Sequence, residues 1–238
     1  MQWHALIFLF ISQLVSAANF NIPTGLTAAD VPVIAQSFTA GFLNRTPVSL
    51  LGQDKFQTEV GIRVNSIDTE KVSKLGNRSK QSDVQIQEFS YSKQIPFNVE
   101  LGVQSSLAIL DRDISTFGGY ARWGFYMFSW GGLSLVGHGT SANYKNVIGT
   151  NLYGSLINLD MNVWLMHLSL GTGFLRSTNN FDASLFTPVV NPAPDITYGR
   201  MYGHQTAKLS YLLNNVSISV QGDWLKDFFS SANISYLF

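Results

Sequence analysis

The 238-residue chain contains no cysteine, which excludes disulfides, thiol catalysis and cysteine-ligated metals. Charge is scarce as well: 13% of residues are charged, about half the share of a soluble domain. Fifteen basic and fifteen acidic residues cancel, so the net charge gives no electrostatic reason to expect a nucleic acid as a partner. No glycine-rich phosphate loop or cluster of metal ligands occurs, and no cofactor is expected. Past the first residues, no stretch approaches the roughly 18 consecutive apolar residues of a membrane helix. Hydrophobic residues nevertheless make up 45% of the chain and aromatics 13%. A soluble domain so poor in charge would struggle to cover its surface, whereas a surface facing lipid has no such need. The length suits one sizeable domain.

Ala5 to Leu14 is an apolar run too short to span a bilayer as a helix. Val15-Ser16-Ala17 follows with the small residues of a signal-peptidase site. Residues 1–17 are therefore expected to be a signal peptide, although Met1 to His4 lack the usual Lys or Arg. A buried N-terminal helix is the alternative. Without this segment, any crossing of a membrane must be made by strands.

Residues 18–56 form a separate N-terminal segment. Thr27-Ala28-Ala29-Asp30 fits a capping box with Asp in the Glu position. Val31, Ile34, Ala35, Phe38 and Phe42 then recur at helical spacing. Pro32 falls in the first turn, where a missing N–H costs little. The spacing predicts a short amphipathic helix from about Ala28 to Leu43. It would cover the periplasmic mouth or rim of a barrel, or plug its lumen.

From Gln57 onward the period becomes two. Val60, Ile62 and Val64 oppose Glu59, Arg63 and Asn65, and Val99, Leu101 and Val103 oppose Glu100, Gly102 and Gln104. Trp123, Phe125 and Met127 oppose Tyr120, Arg122 and Tyr126. Ile157, Leu159 and Met161 oppose Asn158 and Asp160; Leu209 and Tyr211 oppose Lys208 and Ser210; Ile218 and Val220 oppose Ser219, Gln221 and Asp223. A soluble β-sandwich shows the same alternation, but these runs have the length of tilted membrane strands. Short links near residues 93–96, 129–132, 164–167 and 214–215 alternate with longer polar ones at 69–83, 110–116, 144–151 and 177–203. The last contains three prolines and is expected to be an extracellular lobe rather than strand. The expected fold is all-β: residues 57–238 form a closed antiparallel transmembrane barrel of about ten strands, eight and twelve being the alternatives. An even count returns both ends to one side, with the long loops outside.

The C-terminal segment Ser231 to Phe238 ends in Phe, with Tyr236 and Ile234 on the same face. It resembles the β-signal of bacterial outer-membrane β-barrel proteins, with Asn233 where that signal usually has Gly. The resemblance implies an outer-membrane location, outer-membrane lipids as surroundings, and recognition by the barrel assembly machinery through Ile234, Tyr236 and Phe238. Thr46 to Gly52, then Phe56 and Glu59 to Ile62, is similar to the first-strand entry of uncharacterised proteobacterial outer-membrane barrels. Neither likeness implies an activity, and oligomeric state is left open.

Outer-membrane phospholipases and lipid A deacylases use a His-x-Ser pair on one strand face, and period two makes that spacing necessary. His138 and Ser141 are three apart and point to opposite faces. His167 and Ser169 have the right spacing, but no acidic or amide partner stands out on adjoining strands. The omptin proteases use acidic pairs and an Asp-His pair near the extracellular rim. Asp111 and Asp113 are an acidic pair, yet no Asp-x-His follows, and His204 lacks an evident partner. Without a base and its orienting group in reach, no enzyme is expected. Glu59, Arg63, Glu100, Arg122, Asp160, Lys208 and Asp223 all fall on polar strand faces and are expected to form a lumen network. The chain is thus expected to be structural or a narrow passive pore for small solutes, a lipid-modifying enzyme being the alternative.

Overall fold

The computed structural model describes residues 22–43, 57–67, 70–77, 84–106, 113–187 and 195–238. The expected signal peptide, the Thr46–Gly52 motif and Asp111 lie outside them. Ten strands close into one antiparallel barrel. They are β1 (Thr58–Ile67), β2 (Val84–Ile95), β3 (Val99–Ser106), β4 (Ile114–Phe128) and β5 (Gly131–Tyr144). β6 (Ile148–Val163), β7 (Met166–Phe181), β8 (Ile196–Leu213), β9 (Val216–Trp224) and β10 (Phe228–Leu237) complete it. Each strand pairs with its neighbour in sequence, and β10 returns to β1 with Ile62 opposite Ile234 and Val60 opposite Tyr236. Closure leaves no edge for another chain to pair with.

The wall is lopsided. β4 to β8 have 15, 14, 16, 16 and 18 residues, whereas β9, β10, β1, β2 and β3 have 9, 10, 10, 12 and 8. The tall side corrects two expectations. Ser177–Phe181 and Ile196–Gly203 are paired strand, not lobe, and β5 joins β6 through a tight turn at 145–147. The physical reason is an inversion of the pleat. Near the short turns, apolar residues point outward and polar ones inward. Higher on the tall wall, Tyr144, Ile148, Leu152, Leu175 and Phe181 point inward and are buried, while Arg176 and Asn180 face outward.

What they bury against is helix α1 (Val31–Gly41). Its Ile34, Ala35 and Phe38, with Phe42 just beyond, join the same cluster. The Phe38 ring centre lies 5.7 Å from Phe42 and 5.7 Å from Tyr144. Thr39 and Ser177 hydroxyls meet at 2.7 Å, and Gln36 Nε2 donates to Asp227 at 2.6 Å. The helix therefore occupies the mouth at the long-loop end, opposite the short turns. Among the described residues the large apolar cluster lines that mouth, while the interior nearer the short turns carries buried charged side chains. Asp30 accepts from the Thr27 N–H and hydroxyl at 2.8 Å each, so the Thr27–Asp30 pair forms one turn before the helix begins. A second short helix, α2 (Glu70–Ser73), follows β1, and Lys71 pairs with Asp227 at 2.6 Å. In the β7–β8 link, the Ser184 hydroxyl and N–H hydrogen-bond to Asp182 and hold its carboxyl below the usual range.

A register shift between Gly124 and Tyr126 marks a β-bulge in β4. It turns Tyr126 outward, to 60% exposure, where strict alternation put it beside Arg122. Bulges do this by giving one strand an extra residue.

Candidate functional site

The barrel interior is a stack of layers beneath α1. Near the short turns, Arg122 on β4 forms an ion pair with Asp160 on β6. Ser134, on β5 between them, accepts from Arg122 Nε at 3.0 Å and donates to Asp160 at 2.9 Å. Tyr120 donates to Glu100, whose register partner across β3–β4 is Arg122. Glu59 and Lys208 attract one another across the interior, and both are buried. Above them Arg63 donates to Gln104 at 2.9 Å. Glu88 accepts from Asn65 at 2.8 Å and from Thr116 at 3.0 Å. Asp223 meets His204 Nε2 at 3.0 Å and accepts from Gln221 at 3.0 Å; His138 stands edge-on to His204.

The structure thus places Glu59, Arg63, Glu100, Arg122, Asp160, Lys208 and Asp223 inside the barrel, all buried. It brings Glu100, Arg122 and Asp160 together at one level and sets Glu59 in the field of Lys208. Asp223 stands apart, with His204. Glu88 escaped the sequence reading because β2 alternates poorly: Ile86 shares its inward face. The outward Phe89 and Tyr91, two apart, were the available signal.

Two partners that the sequence did not reveal are present. His167 Nδ1 lies 2.7 Å from Asn162 Oδ1 and its Nε2 3.7 Å from Asp160, while Ser169 is opposite Asp160 in register. His204 has Asp223. Cross-strand pairing made these contacts, and sequence spacing could not show them. The His167 ring is not aligned on Ser169 as acyl transfer requires. Both His167 nitrogens face other groups, whereas a nucleophilic serine needs the imidazole on its own oxygen. His167 and Ser169 also point into the packed interior, away from lipid. Among the described residues no group of three or more His, Asp or Glu is placed to hold a metal ion. A cavity beside His138, His204 and Lys208 measures about 10 Å³, the space of one water molecule.

The outer surface is the reverse of a soluble sheet. Leu101, Val103, Trp123, Ile157, Leu170, Phe174, Leu209 and Val220 all face outward and are 42–57% exposed. At the short-turn rim Phe97 is 89% and Trp164 90% exposed, with Trp130 and Phe238 beside them in the same girdle. Every described strand pair of the closed sheet keeps apolar side chains out and polar ones in through this zone. A β-sandwich must do the opposite. The chain has the fold of an outer-membrane β-barrel.

Solved barrels resemble this one at low identity. The N-terminal barrel domain of OprF from Pseudomonas aeruginosa is 10% identical, covering 78% of this chain and 100% of that one, with a TM-score of 0.36. The outer membrane protease OmpT from Escherichia coli is 10% identical, covering 82% and 100%, with a TM-score of 0.44. The KdgM porin is 11% identical, covering 75% and 98%, with a TM-score of 0.37. These likenesses carry no activity across to the outer-membrane-type barrel described here. No protein-family model and no curated protein matches the sequence.

Proposed function

We propose that this chain is an outer-membrane β-barrel with a sealed interior, serving as surface structure rather than as a solute channel. The carrying observation is two closures in series: α1 in the long-loop mouth, and the charged layer of Glu100, Arg122 and Asp160 below it. Ten strands also lie near the narrow end of the range, where side chains suffice to fill a barrel. The short turns and their aromatic rim belong on the periplasmic side, and the tall wall rises into the medium outside. Its surroundings are outer-membrane lipids. β10, with Tyr236 and Phe238 outward and their rings 4.8 Å apart, is the strand offered to the assembly machinery.

Purified protein in planar bilayers is expected to show no discrete conductance steps, and no acyl release from outer-membrane lipids. Regular steps would restore the narrow-pore reading. Fatty-acid release lost in a Ser169→Ala variant would restore the lipid-modifying one.

A further inference from the structure

The outward face of the barrel is almost free of charge. Among the described strand residues, the outward rows carry one lysine, Lys93 on β2, and one arginine, Arg176 on β7, and no Asp or Glu. Arg200, higher on β8, belongs to the lumen-side row and lies over the Tyr202 ring at 5.3 Å.

The positions of the two cations are not arbitrary. Along β7 the outward side chains run Met166, Leu168, Leu170, Thr172, Phe174, then Arg176, Thr178 and Asn180. Arg176 is the point at which the row turns polar. It stands ten residues along the strand from Met166. At about 3.3 Å per residue and a strand tilt of about 40°, that is about 25 Å above the rim, the height of the apolar band of such barrels. Lys93 sits two residues from the end of β2 that meets the short turn, at the opposite edge of the same band. An arginine near the middle of a bilayer would cost about 2–4 kcal/mol, against about 0–1 at an interface. Arg176 is flanked in register by Tyr153 on β6 and Met201 on β8, 61% and 64% exposed. A guanidinium beside a phenol presents N–H and O–H donors to a phosphate, and guanidinium geometry matches phosphate in particular.

We propose that Arg176, with Tyr153, is a binding site for the phosphate of a lipid headgroup at the outer edge of the band, and that Lys93 is its counterpart at the inner edge. Together they fix the depth at which the barrel sits. The proposal rests on the membrane reading above, and the experiment separates the two.

Wild type, Arg176→Gln and Arg176→Lys are refolded into vesicles of phosphatidylcholine with phosphatidylglycerol. Flotation and heat-modifiable mobility report insertion and folding; native mass spectrometry reports retained phosphatidylglycerol. All three are expected to float, with retention about five-fold lower in Arg176→Gln, the factor given by about 1 kcal/mol per basic residue near an anionic surface. Arg176→Lys is expected to keep most of it, and inorganic phosphate to displace none. Equal retention in floating, folded wild type and Arg176→Gln overturns the site and leaves the membrane reading intact. Displacement by inorganic phosphate overturns the lipid assignment, since the site would then hold any free anion. Wild type that fails to float overturns both.

Discussion

Asp160→Ala is expected to lower the unfolding free energy by about 3–5 kcal/mol, the cost of leaving a buried ion without its partner. Arg122 is 2% exposed and Asp160 1%, so the abandoned guanidinium has no route to water. Ser134 can accept one bond from it but cannot neutralise it, and Glu100, the register partner of Arg122 across β3–β4, is held by Tyr120 and offsets the charge only in part. His167 and Ser169 would lose the same carboxylate. The size of the effect comes from the unpaired charge rather than from the worth of the pair. A double variant, Arg122→Met with Asp160→Leu, is therefore expected to recover much of the loss, because removing both partners together is often nearly neutral. Urea unfolding in lipid vesicles, followed by tryptophan fluorescence, gives all three values. A single variant as stable as wild type would mean that the layer is wet and the pair screened.

Leu170→Arg is expected to cost about 2–4 kcal/mol in the same assay, the penalty for arginine near the bilayer midplane. Leu170 faces outward at 42% exposure on β7, between Leu168 and Thr172 and about midway from Met166 at the rim to Arg176. In a short-chain detergent that lets water reach the arginine, the cost should shrink. Gln104 gives the inward comparison, for a different reason. It is 3% exposed and accepts from Arg63 at 2.9 Å, so Gln104→Arg sets two cations side by side in a closed space. Its cost should not depend on lipid. A silent Leu170→Arg would mean that the row is not in the membrane at all. A one-residue slip would exchange the two faces throughout.

The strands inside the band were legible because lipid and lumen impose opposite chemistry on alternate residues. Arg63, Glu100 and Asp160 sit between apolar neighbours two apart, and that pattern gives both strand and face. Three things broke the pattern. The bulge at Gly124–Tyr126 moved Tyr126 across the sheet. β2 placed Ile86 in the same inward row as Glu88, so its alternation blurred. Above the band the polarity of the pleat reversed, and Ser177 to Asn180 read as loop because polar side chains were expected inside. The helix itself was legible in Ile34, Phe38 and Phe42, but its place was not: which mouth it fills depends on the lining of the tall wall. The pairing of Arg122 with Asp160, or His204 with Asp223, follows from strand register across the barrel, which no single segment encodes.

The reversed pleat gives one sheet two kinds of cohesion. Within the band, strands are held by ladder bonds and buried ion pairs among lipid chains. In the cap, Phe38, Phe42, Tyr144, Leu152, Leu175 and Phe181 are held by exclusion of water. That attraction weakens on cooling, whereas packing in lipid and charge pairing do not fade in the same way. Chilling should therefore loosen the molecule from the outside mouth inward. Low-temperature spectra would show it as averaging of the Phe38 and Tyr144 ring environments while the Arg122–Asp160 layer keeps its order. Averaging that began instead at the Arg122–Asp160 layer would contradict this account.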